Sequence, residues 1–170
     1  MKHFTFLTIM LLCLLLSSCG GKDEPKGNVP LTINDAFIPV SIIVNRTDKA
    51  MVEECKIFSN KDMVVQSKSN LPDDPFDSDK TFDTIDFNNN TLLITYYVHT
   101  YNLLSCSNYF VRNYTDNTYD WTISMGITGD AVDSFDQLIF TRFAILVPKL
   151  QKNADLKVYY GIGNYKWEWN

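Results

Sequence analysis

The sequence predicts a mainly β fold: a single antiparallel β-sandwich or barrel-like domain of about six to eight strands, with room for one short helix. Three observations lead to this fold class. Aromatic residues make up 14% of the chain, and such residues favour strands over helices. The apolar segments either alternate with polar residues or run unbroken over strand-like lengths. The stretches between them are rich in Asn, Asp, Gly and Pro, which form turns.

The first half of the chain contains one clear strand and several less regular segments. Residues 37–45 (FIPVSIIVN) are rich in β-branched side chains and predict the first strand. Residues 50–58 fit either a helix or a strand. Residues 59–66 begin with a serine, a favourable N-cap, and predict a short helix. Residues 67–81 combine two prolines with several aspartates and predict a loop.

The middle of the chain predicts a buried strand followed by a hairpin. Residues 91–100 (TLLITYYVHT) are almost continuously apolar or aromatic, which is typical of a central strand buried on both faces. Residues 109–114 and 119–128 predict a hairpin, since Asp116 and Asn117 between them tolerate positive φ. Large apolar residues alternate along the second arm, so one face of it is expected in the core. The expected core positions are Trp121, Ile123, Met125 and Ile127.

The C-terminal part predicts the remaining strands. Residues 138–147 form a strong strand pattern that stops at Pro148. Residues 156–169 predict either one long bent strand or a last hairpin that turns at residues 161–164.

Three aromatic residues occupy alternate positions at the C-terminus: Tyr165, Trp167 and Trp169. In a strand their rings would share one face. Exposed rings of this kind stack on sugar rings or anchor a partner protein, so these residues are candidate contacts for a glycan or a partner. The alternative is that the rings cover the sheet and complete the core.

Charge and composition argue against several classes of function. The formal net charge is -5 and no cluster of Lys and Arg is present, so nucleic-acid binding has no electrostatic basis. His99 is the only histidine after the leader, and a lone histidine with no cysteine neighbour does not predict a zinc site. The aspartates of residues 73–83 lack the spacing of a calcium-binding EF-hand loop. We therefore expect no metal, no cofactor and no catalytic set.

Residues 1–18 have the features of a secretory signal peptide. Lys2 precedes an uncharged run from Phe4 to Leu16, which is shorter than the roughly 20 apolar residues that a membrane-spanning helix needs. The segment ends in Leu-Ser-Ser ahead of Cys19, an arrangement that resembles the bacterial lipobox. We expect cleavage before Cys19 and lipidation of its thiol, with palmitate among the acyl chains.

The segments after the leader predict a tethered domain. Residues 19–30 form the lipidated cysteine and a flexible tether, and residues 31–170 form the single domain. Several acyl chains give stable membrane attachment. Gly20 is not the aspartate that retains lipoproteins in the inner membrane of enteric bacteria, and the nearby acidic pair at residues 23–24 resembles the export signal of Bacteroidetes surface lipoproteins. The expected location is the outer membrane, with the cell surface favoured over a periplasm-facing position.

Cys55 and Cys106 are the two cysteines of the predicted domain. Outside the cytoplasm such a pair commonly oxidises. A bridge would close a loop of about 50 residues and stabilise the domain by roughly 4 kcal/mol. The alternative is two separate buried thiols, which behave as small apolar groups. The disulfide is the favoured prediction.

Three segments carry a resemblance to known proteins: residues 85–94 (IDFNNNTLLI), 121–123 (WTI) and 143–149 (FAILVPK). Their order resembles small lipoprotein domains of Bacteroidetes. It is also distantly similar to the C-terminal domain of PrcB-type protease-complex proteins, over residues 50–150. The Gly-Gly-Tyr segment of PrcB-type domains is absent, and residues 101–106 stand in its place. No catalytic residues carry over from the resemblance.

A possible modification site lies just ahead of the first of these segments. Asp83-Thr84-Ile85 is similar to the acceptor sequence for O-glycosylation in Bacteroidetes. Thr84 is therefore a candidate O-glycosylation site, provided that its side chain is exposed.

Three functional hypotheses are compatible with the sequence. The favoured one is a non-enzymatic, lipid-anchored envelope protein that binds a protein or glycan partner. The second, implied by the PrcB-type resemblance, is an accessory or inhibitory factor for an exported protease. The third is a hydrolase with a carboxylate site that the sequence does not reveal. Exposed aromatics would favour the first, a rigid protruding loop the second, and a buried pair of aspartates the third.

We expect that Cys19→Ala abolishes labelling of the protein by palmitate and releases it from the membrane fraction, because the acyl chains have no other attachment point in this hypothesis. Palmitate labelling and immunoblots of fractionated cells measure both effects. Cys13→Ala, inside the leader, serves as the control and should remain labelled and membrane-bound. Continued labelling of the Cys19→Ala protein would contradict the anchor.

Overall fold

A computed structural model describes residues 27–59, 62–71, 82–131 and 136–164 of the chain. Within these ranges the chain forms nine strands in two sheets and one α-helix. The predicted mainly β fold is therefore confirmed. The predicted leader and Cys19 lie outside the described residues, as do residues 72–81 of the acidic loop.

The two sheets are built from strands that are distant in sequence. The strands in chain order are β1 (Asn28–Pro30), β2 (Asp35–Ala36), β3 (Val40–Asn45), β4 (Met63–Val65), β5 (Asn90–His99), β6 (Tyr101–Asn113), β7 (Thr118–Ala131), β8 (Gln137–Pro148) and β9 (Asp155–Asn164). The helix is α1 (Lys49–Ser59), and a 3-10 turn covers Lys68–Asn70. We call the sheet β1-β6-β7-β9 the hairpin sheet. We call the sheet β2-β8-β5-β4, in which β3 also pairs with β8, the central sheet.

The central sheet is buried on both faces. Leu92 and Ile94 of β5 pack on one side in a cluster that includes Cys55 of α1. Leu93 points to the other side and packs against residues of the hairpin sheet, among them Trp121. All three β5 side chains are fully buried. The unbroken apolar run of β5 therefore marks a central strand, as predicted, because neither of its faces meets water.

The predicted hairpin is confirmed, and β7 has the expected alternation. Trp121, Ile123, Met125 and Ile127 are buried, while Ser124 between them is exposed. Asn117 has φ +55° in the turn, a conformation that asparagine tolerates well. The second arm does not end at residue 128, as predicted, but continues to Ala131.

The ambiguous segment after β3 is helix α1. The Oδ1 atom of Asp48 accepts a hydrogen bond of 3.1 Å from the backbone N–H of Met51, which is an N-cap interaction. Met51, Val52 and Cys55 then pack on the central sheet, and their spacing places them on one side of a helix. Within residues 27–59, 62–71, 82–131 and 136–164, no helix has the length and apolar content of a membrane span.

The predicted helix at residues 59–66 is wrong. The Ser59 hydroxyl donates to the carbonyl of Lys56 at 3.1 Å, so it closes α1 and does not open a new helix. Met63–Val65 is strand β4 and pairs antiparallel with β5. Pairing with a buried neighbouring strand outweighs the local cap preference, because it satisfies backbone groups and buries Val65 at the same time.

The end of the described chain is one strand, not a hairpin. Residues 161–164 continue β9, and β9 runs parallel to β7. The other strand pairs of the described residues are antiparallel, as predicted. Strand β8 lies between β7 and β9 in sequence but belongs to the central sheet. It returns the chain to the end at which β7 began, so β9 runs in the same direction as β7.

Two of the three segments behind the family resemblance make structural contacts. Asp86 accepts hydrogen bonds from the backbone N–H of Asn88 at 3.0 Å and from the Asn89 amide at 2.8 Å, and these bonds lower the pKa of its carboxyl. Lys149 Nζ donates to the carbonyls of Phe87 at 2.6 Å and Gln66 at 2.8 Å. The Asp86 turn and Lys149 therefore tie the loop before β5 to the end of β8.

The predicted disulfide between Cys55 and Cys106 is wrong, since both residues are free cysteines. Cys55 belongs to the cluster between α1 and the central sheet, whereas Cys106 packs on the cluster between the two sheets. Packed layers lie about 10 Å apart, and a disulfide needs Cα atoms within about 7 Å. Burial raises the pKa of both thiols, which keeps them protonated in the folded protein.

We expect both thiols to react with an alkylating reagent in denaturant without any reductant, because no bridge must first be broken. In the native protein Cys106 should react faster than Cys55, since it is only partly buried. Peptide mass mapping after labelling measures both. A requirement for reductant at either cysteine would show that a bridge exists and would contradict the structure.

Candidate binding face

The outer face of the hairpin sheet is a regular surface that the described core leaves uncovered. Side chains of β7 that alternate with its buried residues point away from the central sheet. The β6, β7 and β9 registers align these side chains in rows that cross the three strands. The rows are Tyr109–Thr122–Tyr159, Ser107–Ser124–Gly161 and Ser105–Gly126–Gly163.

Two of these rows form the floor of a shallow groove with a volume of about 540 Å³. We call it the serine–glycine groove. Among the described residues that line it, none is charged. Its side-chain hydroxyls come from Ser105, Ser107 and Ser124, and its glycines are Gly126, Gly161 and Gly163.

The groove exists because β9 has no side chains on its outer face where it passes the floor. A Cβ atom at Gly161 would lie 3.7 Å from the Ser124 hydroxyl, so the empty space is on the same face as that hydroxyl. A Cβ at Gly163 would meet nothing within 4 Å. Glycine weakens a strand interior, and it often marks a place where another molecule approaches the backbone.

Two exposed tyrosines stand beside the groove. Tyr109 on β6 is 54% exposed and Tyr159 on β9 is 49% exposed. Thr122 of β7 lies between them, paired with Tyr109 on one neighbouring strand and with Tyr159 on the other. Their backbones are therefore about 10 Å apart. Each ring offers an apolar surface with a polar hydroxyl at its tip. The hydroxyls of Thr122 and the serines continue this surface along the sheet.

Tyr160, the next residue along β9, points into the sandwich and not into solvent. Its ring lies 4.6 Å from that of Tyr97 inside the sandwich. Its hydroxyl contacts Thr95 Oγ1 and donates to the Tyr96 carbonyl at 3.2 Å. Thr95 also donates to the carboxylate of Asp62 at 2.5 Å. Burial is the main cause that raises the pKa of Tyr160 to about 12, so the hydroxyl keeps its proton and binds β9 to the central sheet.

His99 is part of the same interior layer. Its Nε2 atom lies 2.8 Å from the hydroxyl of Thr141, and its ring stacks on Tyr97 at 6.0 Å. Thr141 is fully buried, so a substrate cannot reach this hydroxyl, although Ser41 contacts it at 2.7 Å. The geometry assigns His99 a structural role, which links β5 to β8.

The groove lies at the opposite end of the hairpin sheet from the first described residue. The carbonyl of Gly27 accepts a hydrogen bond from the backbone N–H of Tyr114 in the β6–β7 turn. From Thr118, beside that turn, eight residues of β7 lead to Gly126 in the groove floor, a distance of about 26 Å. β9 runs in the same direction and ends just past Gly163.

The sequence-predicted site residues are not brought together. Thr84 lies in an exposed turn, which meets the condition for its O-glycosylation, and the modification itself stays a prediction. Tyr165, Trp167 and Trp169 lie outside the described residues. Cys55 and Cys106 are separate thiols on two sides of the central sheet.

Sequence reasoning missed the groove. The alternation of β7 placed Ser124 and Gly126 on a solvent face, but the sequence does not reveal which residues lie beside them in the sheet. The sequence leaves Gly161 and Gly163 either within one long strand or in the turn of a last hairpin. The sequence does not show which of Tyr159 and Tyr160 faces solvent. The β9 register sends Tyr159 outward and Tyr160 inward.

The described residues offer no alternative metal site. In the ranges that the structure describes, no three His, Cys, Asp or Glu residues gather in a way that could hold a metal ion. The buried polar residues in the same ranges are Thr91, Thr95, His99, Thr118, Thr141 and Arg142, and no carboxylate is among them.

Comparison with known proteins adds no assignment to this geometry. A scan against family models matched no family, and searches of curated proteins and of solved structures found no match.

We expect the unfolding free energy to fall as the pH is lowered from 7.5 to 5, because burial, the largest cause, lowers the pKa of His99 in the folded protein. The unfolded chain then binds more protons, so stability is present above the ordinary histidine pKa of about 6.5 and is lost as the pH falls towards the folded-state pKa. Urea titrations measure the effect, and His99→Gln should flatten it. A wild-type profile without this slope would contradict the buried neutral imidazole.

Proposed function

We propose that this protein is a non-enzymatic glycan-binding module of the bacterial cell envelope, anchored through lipid at Cys19. The observation that carries the proposal is the serine–glycine groove with Tyr109 and Tyr159 beside it. His99 does not contribute to this surface, because it is buried inside the sandwich.

The chemistry of the groove suits a neutral sugar chain. Sugar rings present apolar C–H faces that stack on aromatic rings, and hydroxyls that exchange hydrogen bonds with other hydroxyls. The face supplies both kinds of group, from Tyr109 and Tyr159 and from the Ser and Thr side chains of the same rows. Because the lining residues carry no charge, an acidic or basic ligand would find no ionic partner among them.

The position of the groove supports display from a membrane. In the lipid-anchor hypothesis, residues 19–26 connect Cys19 to Gly27, and Gly27 is held at the β6–β7 turn. Eight extended residues span at most about 29 Å. The groove lies at the other end of β7, so it would face away from the membrane and towards ligands in the surroundings.

The two other hypotheses have weaker support. A protease inhibitor would need a rigid loop that protrudes into a protease, and a hydrolase would need paired, shielded carboxylates. The described residues provide no feature of either kind that compares with the groove. The protein or glycan partner of the favoured hypothesis is therefore best assigned as a glycan.

Binding to an array of neutral oligosaccharides tests the proposal. Gly161→Val should abolish binding because it fills the groove, while stability should change little, since a Cβ at this position makes only an ordinary contact with Ser124. Tyr109→Ala and Tyr159→Ala should each weaken binding roughly five-fold, the equivalent of about 1 kcal/mol for one stacked ring.

Asp155→Ala is the matched control, because Asp155 is exposed on the same strand and face but at the far end from the groove. It should bind as the wild type does. Urea unfolding of each variant shows that the fold is retained. Wild-type protein that binds no array member, or Gly161→Val protein that binds normally, would contradict the proposal.

A further inference from the structure

Strand β9 is an open edge of the hairpin sheet. It pairs with β7 over ten consecutive residues in a regular register, and among the described residues no strand pairs with its other side. Proteins usually protect such an edge with proline, a bulge, inward charges or a very short strand. β9 has ten residues, contains no proline and carries one lysine, Lys157. It is therefore suited to pairing with another strand.

The side chains of β9 are complementary to those of a second β9. In an antiparallel pair centred on Tyr160, each Tyr159 lies opposite Gly161, and each Val158 lies opposite Ile162. An aromatic ring over a glycine and a pair of β-branched residues are favourable cross-strand neighbours. Ile162 is 46% exposed, and this pairing would cover it.

Neighbouring registers are less complementary. A pair centred on Gly161 places that glycine opposite itself and leaves both copies without a covering side chain. A pair centred on Tyr159 places the charged Lys157 over Gly161 and leaves Ile162 opposite Leu156. The register centred on Tyr160 is the one that covers Gly161 with an aromatic ring and the exposed Ile162 with a β-branched residue in each copy.

We propose that two copies of this chain pair through β9 in the register centred on Tyr160, which joins their hairpin sheets into one sheet of eight strands. The dimer completes the serine–glycine groove. The row Ser107–Ser124–Gly161 gains the partner's Tyr159 as its next member, about 5 Å beyond Gly161. This ring closes the side of the groove that is open in one copy, a consequence that rests on the function proposed above.

Sedimentation velocity of the full chain in detergent micelles measures the dimer without any sugar. The wild-type protein should have the mass of two chains. Ile162→Lys should have the mass of one, because a lysine on an edge strand prevents edge pairing. Leu104→Lys is the matched control, since Leu104 is also 46% exposed but lies on β6, and it should remain a dimer. A monomeric wild type, or an Ile162→Lys variant that stays dimeric, overturns the proposal.

Cysteine pairs test the register in the membrane, in a background with Cys106→Ser. The double variant Lys157→Cys/Gly163→Cys should form a disulfide-linked dimer, since opposed residues of antiparallel strands have Cα atoms about 4.5–5.5 Å apart, within disulfide range. Lys157→Cys/Gly161→Cys, which fits the register centred on Tyr159, should not. Both glycines have space for a Cβ atom, so both variants are expected to fold. Cross-linking of the second pair and not the first overturns the proposal.

Sugar binding separates this inference from the proposed function. A dimer that binds no sugar leaves the β9 interface standing and removes only the glycan assignment. A wild type that binds sugar at least ten-fold more tightly at concentrations where it is a dimer than at concentrations where it is a monomer supports the shared groove. The comparison uses dilution and not Ile162→Lys, because Ile162 lines the groove. Equal sugar affinity of the monomer and the dimer overturns the role of the partner's Tyr159.

Discussion

The rest of the structure depends on the burial of the central sheet on both faces. Leu92 and Leu93 are adjacent in β5, point to opposite sides and are both fully buried. Such a strand is stable only if two further layers exclude water from it. Helix α1 provides one of these layers and the hairpin sheet the other. The hairpin sheet needs only its inner face for this task, so its outer face is free to bind a ligand.

The interior between the sheets is not uniformly apolar. At one end, the hydroxyls of Thr95, Thr141 and Tyr160 lie in the same layer as His99, and hydrogen bonds connect them in two groups. A buried polar group is costly unless it has a partner, so these contacts specify how the strands are placed. On the other side of the central sheet, the guanidinium of Arg142 lies 4.7 Å from the Phe82 ring centroid. The contacts of Tyr160 hold β9, which supplies the floor of the groove, against the core.

The groove and the open edge have a common origin in β9. The glycines of this strand remove side chains from the floor of the groove, and the same glycines make room for a large residue of a second copy. The position of β9 at the end of the sheet leaves one side of it unpaired among the described residues. The proposed ligand binding and the proposed self-association therefore use one strand, so a ligand that contacts both copies would favour their association.

The sequence by itself determined the fold class, the central position of β5, the hairpin and the inward face of β7, because burial leaves a direct record in the spacing of apolar residues. It did not determine that residues 63–65 form a strand, that Cys55 and Cys106 lie apart, or that β9 runs parallel to β7. These features depend on which distant segments become neighbours, and no local pattern encodes a neighbour. The groove is also a feature that the sequence did not determine. Its serines and glycines come from three strands and become one surface only through the register of the folded sheet.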